Sequence, residues 1–153
     1  MKFFKTNQKG FTLIELLVVI GILAVLLAIT LIAINPARQF SQANNTKRKS
    51  DVSVILNAVN QYMADNKGAV PAGITGVAQN ISNTGANICT ALVTQYIAAL
   101  PRDPKVLNGV SVTDCTVAYD TGYTIMQSAA NSRITVSVLV ANQELGEAIS
   151  VTR

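Results

Sequence analysis

From Phe11 to Ile34 the chain is apolar apart from two threonines, one glycine and one carboxylate, Glu15, and no other stretch limits the fold as much. About 20 apolar residues suffice to cross a bilayer, so this run is long enough to span one. A glutamate inside such a span costs roughly 2.5–3.5 kcal/mol on insertion scales, so something positive must meet Glu15 in an apolar place. The residues ahead of the run, MKFFKTNQKG, carry Lys2, Lys5 and Lys9 and no acid. A basic flank of this kind keeps the N-terminus cytoplasmic and sends the C-terminal part outward.

An ordinary secretory signal has a shorter apolar stretch followed by a small-residue cleavage site. No A-x-A pattern follows this run, so a cut that removes the leader must precede it. The Gly10–Phe11 bond is the natural place, because glycine lets a protease approach the backbone closely. KGFTLIE followed by an unbroken apolar segment resembles the class III signal of type IV pilins and type II secretion pseudopilins. The resemblance is close from Lys9 to Asn35 and extends over the rest only in general layout. It implies that a prepilin peptidase cuts after Gly10 and methylates the amine of Phe11. It also implies that Glu15 pairs with the Phe11 amine of a neighbouring subunit. The physics agrees: cutting strands a new ammonium at Phe11 one helical turn from Glu15, and a charge pair across subunits satisfies both and fixes axial register. A plain signal anchor whose Glu15 snorkels to the interface is the alternative.

The formal charge of +4 mostly reports the leader. Without Lys2, Lys5 and Lys9, nine of the 12 basic side chains remain against 8 acids, a net of +1. The basic balance therefore speaks for topology and is weak evidence for nucleic acid. No histidine is present, which removes the commonest general base and metal ligand. No Gly-x-Ser-x-Gly, phosphate loop or metal cluster occurs either, so the chain reads as a structural protein without a cofactor.

The organisation expected is a leader over 1–10, a transmembrane and filament-core helix over 11–35, an amphipathic spine helix over 36–68, and a head over 69–153. Gly21 within the span and Pro36 at its end are the candidate kink positions, with Ile34–Pro36 bent or partly unwound. Pilins often carry a proline earlier in this helix, and this chain has none there. Val52, Ile55, Leu56, Val59, Tyr62 and Met63 recur at spacings of three and four, a stripe for packing. Lys47, Arg48, Lys49 and Asp51 are read as off that stripe, on a solvated face or against anionic headgroups. Asn66-Lys67-Gly68 supplies a stop. A helix unbroken from Phe11 to Asn66 would extend about 84 Å.

The Gly-, Asn-, Ser- and Thr-rich stretch from Ala69 to Ile88 reads as a loop. Ile88–Leu100 reads as a short helix, ended by Pro101-Arg102-Asp103-Pro104. Strands are expected at Cys115–Tyr119, Tyr123–Gln127, Arg133–Val140 and Ile149–Thr152, with a hairpin turn at Ser128–Ser132. The fold class is α+β: a long N-terminal helix and a small antiparallel sheet, the lollipop layout that the pilin resemblance implies. Tyr119 and Tyr123 read as strand packing.

Cys89 and Cys115 are the only cysteines, and the orientation puts both outside the cytoplasm, where disulfides persist. A bridge would close a loop of about 27 residues, worth on the order of 3.5 kcal/mol. Two buried, unpaired thiols are the other reading. LPRDP, Leu100–Pro104, is similar to the Leu-Pro-x-Asp-Pro stretch of major pseudopilins, whose nearby loop binds calcium. Here Lys105 follows in place of the usual tryptophan, Asp114 and Asp120 are scattered, and Asp103 reads as a turn cap. Asn44 and Asn80 each open an N-glycosylation pattern.

The reading is a filament subunit, first stored in the cytoplasmic membrane and then packed against copies of itself in a cell-surface helical filament. Its implied partners are the prepilin peptidase, an assembly platform protein and a cytoplasmic ATPase. A type IV pilus serving adhesion, motility or DNA uptake leads; a type II secretion pseudopilin is the alternative.

Overall fold

The computed structural model describes residues 10–153, so the lysine-rich leader, on which the topology reading rests, lies outside the described residues. The chain divides into two compact units at Gln39/Phe40.

In the first unit, helix α1 spans Leu13–Ile34 and no residue of it is buried. Thr12 starts it: the Thr12 Oγ1 accepts from the Glu15 N–H at 3.3 Å, and the Thr12 N–H donates to Glu15 Oε2 at 2.8 Å. This reciprocal box satisfies two amides that a helix start leaves orphaned. The helix passes through Gly21 and stops at Asn35, which takes the left-handed conformation at φ 46°. Asparagine tolerates that region better than most residues. Helix α2, Pro36–Asp65, begins at the next residue, with Pro36 in the first helical position, where no N–H is needed. The Asn35 side chain accepts from the Arg38 N–H at 3.3 Å, so one residue closes α1 and caps α2. The interruption expected over Ile34–Pro36 falls at Asn35, where the backbone turns left-handed and Pro36 has no donor, so α1 and α2 are separate helices.

The second unit, Phe40–Arg153, holds the core. Val52, Ile55, Leu56 and Val59 of α2 are fully buried, and Tyr62 and Met63 pack beside them, following the stripe. They join a four-stranded sheet in the order β1-β2-β3-β4: Gln79–Ser82, Asp120–Gln127, Ile134–Val138 and Ser150–Thr152. Every pairing is antiparallel, and β2 and β3 register Tyr123 with Val138 and Gln127 with Ile134. Along β3 burial alternates, with Ile134, Val136 and Val138 inside, as a half-wet sheet requires. On the other face Thr124 and Ser137 hydroxyls meet at 2.7 Å across the strands. The turn at Ser128–Ser132 closes with Ser132 N–H donating to the Ser128 carbonyl.

Three local expectations are corrected. Strand β1 lies within the stretch read as loop; QNIS contributes only one core side chain, Ile81, too little to show a period. Helix α3 covers only Cys89–Leu92, because Thr94 turns to φ 74° and the Tyr96 and Ile97 amides both return to the Leu92 carbonyl. Leu92, Val93 and Leu100 are buried all the same, and Tyr96 meets Tyr62 edge to face at 5.7 Å between ring centroids. Cys115–Tyr119 is irregular: Asp114 Oδ1 accepts from both the N–H and the hydroxyl of Thr116, a side-chain turn that competes with strand pairing.

Cys89 and Cys115 are disulfide-bonded, with Cα atoms 5.5 Å apart and 26 positions of separation. The bridge ties α3 to the irregular segment ahead of β2. Replacing both cysteines by serine is expected to lower head stability by about 3.5 kcal/mol, the loop-closure value for this span. Urea unfolding monitored by circular dichroism measures it, and an unchanged midpoint would contradict the assignment of stability to the bridge.

Candidate functional site

Two surfaces of opposite character bear on function. The first is the start and flank of α1. Phe11 is 88% exposed, and the large apolar side chains of α1 all point outward. Among the described residues this is the one helix long and apolar enough to cross a membrane. Its single carboxylate is occupied on one side only: Glu15 Oε2 takes the Thr12 N–H and, at 2.7 Å, the Thr12 hydroxyl, whereas Oε1 has no hydrogen bond among the described residues. Gly10, Phe11 and Glu15 are brought together here, with Thr12 between them. The T-L-I-E spacing of a capping box carries that signal in the sequence, and Thr12 was not singled out there.

The second is a buried ionic network in the head, and here the sequence reading is overturned. Arg48, expected on a solvated face, is 0% exposed. It lies four residues before Val52, so the core stripe extends back through it; its aliphatic stem belongs to that stripe and its head needs partners. Asp103 supplies a two-pronged contact, Nε to Oδ2 at 2.7 Å and Nη2 to Oδ1 at 3.1 Å. Nη1 donates to Glu144 Oε2 at 2.7 Å and to Asn45 Oδ1 at 2.8 Å. Asn44 and Asn45 in turn donate to the Glu144 side chain and carbonyl, and Asn45 also to Glu147 Oε2. Asp51, also read as exposed, is buried and accepts the Tyr123 hydroxyl at 2.7 Å.

LPRDP finds its place in this network. Asp103 Oδ1 accepts the Lys105 N–H at 2.8 Å, the turn-capping role expected of it, while the carboxylate also holds Arg48. Arg102 is buried and donates from Nε to the Asp120 carbonyl. Gly122 lets the segments close up: at φ 76° a Cβ there would lie 2.8 Å from Asp103 Cβ and 2.7 Å from Asn142 Nδ2. Tyr123 and Tyr119 are buried as expected.

The electrostatics follow. Burial disfavours ionisation of Glu144, but hydrogen bonds from Asn44 and Arg48 outweigh it and hold the carboxyl below its ordinary value. Burial pushes Asp51 upward, only partly opposed by the Tyr123 hydroxyl. Burial and the adjoining Asp51 carboxylate push Tyr123 far up, so it stays a neutral donor.

With this geometry in place, comparison with known proteins addresses the N-terminal segment. Residues 5–31 match a family described as the prokaryotic N-terminal methylation motif. The type IV wide pilus major component PilA4 of Thermus thermophilus is 32% identical over 87 residues, covering 57% of this chain and 65% of that protein. The match therefore falls just short of two thirds of the relative's own length. No solved structure matches the chain. The chain carries the methylation motif, and its resemblance to type IV pilins stands on both matches.

Replacing Arg48 by methionine leaves Asp103 buried without its cation and is expected to destabilise the head by about 3–5 kcal/mol; retention of wild-type stability in urea would refute the network's role. The depressed Glu144 contributes stability that is fully present above the ordinary glutamate value of about 4.3 and is lost as pH falls through its lower folded value. The raised Asp51 has the opposite sign: its contribution is present at low pH and lost as pH rises through its folded value. Glu144→Gln should therefore flatten the acid limb of a melting-temperature profile below the ordinary glutamate value of about pH 4.3. An unchanged slope would show that Glu144 carries none of it.

Proposed function

We propose that this chain is a structural subunit of a type IV pilus-like filament, assembled from the membrane after removal of its leader. The observation that carries this reading is α1: buried nowhere, apolar on every side apart from Glu15 and Thr30, and lying largely within the methylation motif over 5–31. Such a surface has two stable surroundings, lipid and other helices of its own kind. In the membrane it anchors the subunit, and in the filament it packs against copies of itself.

On this reading a prepilin peptidase cuts between Gly10 and Phe11 and methylates the new amine. Glu15 is satisfied by Thr12 while the subunit is alone, with Oε1 free to meet the Phe11 ammonium of a neighbour. That pair forms only when the axial offset is right, so it sets register. The head forms the outer surface, closed by the Cys89–Cys115 bridge and the Arg48 network. A platform protein and a cytoplasmic ATPase would drive extension, and adhesion, motility or DNA uptake would be the filament's task.

A pseudopilin of a type II secretion system is the second reading, and LPRDP favours it. The pilus reading gains from the pilus component among its relatives and from the commitment of Asp103 to Arg48.

Glu15→Ala is expected to leave the chain in the membrane with a folded head but to abolish filaments sheared from cells, as seen by electron microscopy. Filaments at wild-type abundance would refute the register role, and long wild-type filaments would separate a pilus from a short pseudopilus. Mass spectrometry of assembled subunits should find the chain starting at Phe11 with one added methyl group. An intact leader in the filament would refute the processing step.

A further inference from the structure

The head also carries a groove of about 390 Å³ that neither α1 nor the Arg48 network uses. Its polar lining comes from Asn80, Asn83, Thr84 and Asp120, and Leu107 and Ala118 contribute apolar surface. The volume is within the range of small-molecule sites.

The walls are set before any ligand arrives. The Asn83 N–H donates to the Tyr119 carbonyl and the Tyr119 N–H donates back to Asn83 Oδ1, each at 3.2 Å. The Ala86 N–H donates to the Asn80 carbonyl at 2.8 Å, and the Gly85 N–H to Ser82 Oγ at 3.0 Å. The turn is so close that a Cβ on Gly85 would lie 2.4 Å from the Asn80 carbonyl oxygen. Leu107 stands at φ 43° with 70% of its surface exposed. A leucine held in the left-handed region without burial in its own chain is strain of the kind that gathers at ligand sites.

Several polar groups on the residues lining this space have no partner in the described chain. Asp120 Oδ1 accepts the Gly122 N–H, but among the described residues no hydrogen bond engages Asp120 Oδ2, Asn83 Nδ2 or the Asn80 amide. The lining holds one carboxylate and no lysine or arginine. An anion would find no countercharge. A calcium ion needs six to eight oxygen ligands, which one carboxylate and a few neutral groups do not make up. What remains is a neutral ligand dense in hydroxyls with an apolar edge.

We propose that this groove binds a neutral sugar ring, one or two residues long. Asp120 Oδ2 would accept from ring hydroxyls, the Asn80 and Asn83 amides would donate to and accept from others, and the C–H face would pack on Leu107 and Ala118. The proposal does not depend on the filament reading.

Saturation-transfer NMR tests it on the full chain held in a zwitterionic detergent without sugar headgroups. The probes are glucose, galactose, N-acetylglucosamine and the disaccharides cellobiose and lactose. At least one is expected to show transfer at or below about 20 mM, a weak but real affinity. Asp120→Asn keeps the acceptor for Gly122 and should weaken binding by about fivefold or more, the scale of one lost charged hydrogen bond. Leu107→Gly removes apolar wall and relieves the positive φ; it should melt no lower than the wild type and yet bind at least about fivefold more weakly. No transfer from any probe at about 20 mM would overturn the proposal. So would either variant binding with wild-type affinity.

Discussion

A guanidinium cannot stay charged in the interior of a small head unless oxygens from elsewhere in the chain come to it. Arg48 sits on the buried stripe of α2, and its partners lie 55 and 96 positions away in sequence. Meeting that demand draws the LPRDP segment and the connection between β3 and β4 onto the same turn of helix. Gly122, with no side chain, permits the approach, and Asp51 with Tyr123 links the helix to the central strand. Apolar residues replacing Arg48, Asp103 and Glu144 together could pack as well, and buried ion pairs are often replaceable in that sense. What the charge adds is direction: Asp103, Asn45 and Glu144 oxygens meet four of the guanidinium's five N–H donors at fixed angles.

The N-terminal half shows the opposite logic. Nothing in the described chain covers α1, and its only polar requirement, Glu15, is met locally by Thr12. A segment that asks nothing of its own head is free to exchange lipid for other helices. The unsatisfied demand of α1 is for apolar contact, which is not directional, so a separate device must supply register. On the filament reading proposed above, the free Oε1 of Glu15 is the group suited to that task.

Much of this was legible in the residues. The span, the stripe from Val52 to Met63, the hairpin at Ser128–Ser132 and the α+β class all follow from hydrophobic period and turn chemistry. The misplacement of Arg48 and Asp51 has one cause: residue type stands in for burial where a distant partner decides it. Arg48 and Asp51 were assigned to solvent because charges usually are, although Arg48 keeps step with Val52 and Ile55. Asp103 reads as a turn cap in isolation, and its second role needs knowledge of what lies across from it. Ile88–Leu100 reads as one helix but forms only the turn at Cys89–Leu92, although Leu92, Val93 and Leu100 are all buried, since burial constrains a side chain more than it does the backbone. Strand β1 had almost no signal, as only Ile81 reaches the core. The groove beside Leu107 is assembled from three separated segments, and no spacing within any one of them announces it.

Asn35 has a consequence for how disorder spreads. Helical order propagates through successive hydrogen bonds four residues apart, and fraying travels along the same ladder. At Asn35 the ladder has a gap: Pro36 offers no N–H, and the Arg38 and Gln39 amides both return to the Asn35 carbonyl. Each helix therefore ends in its own cap. Fraying of α1 has no hydrogen-bonded route into α2. On the filament reading proposed above, α1 can lose helical order without unwinding the helix that carries the core stripe.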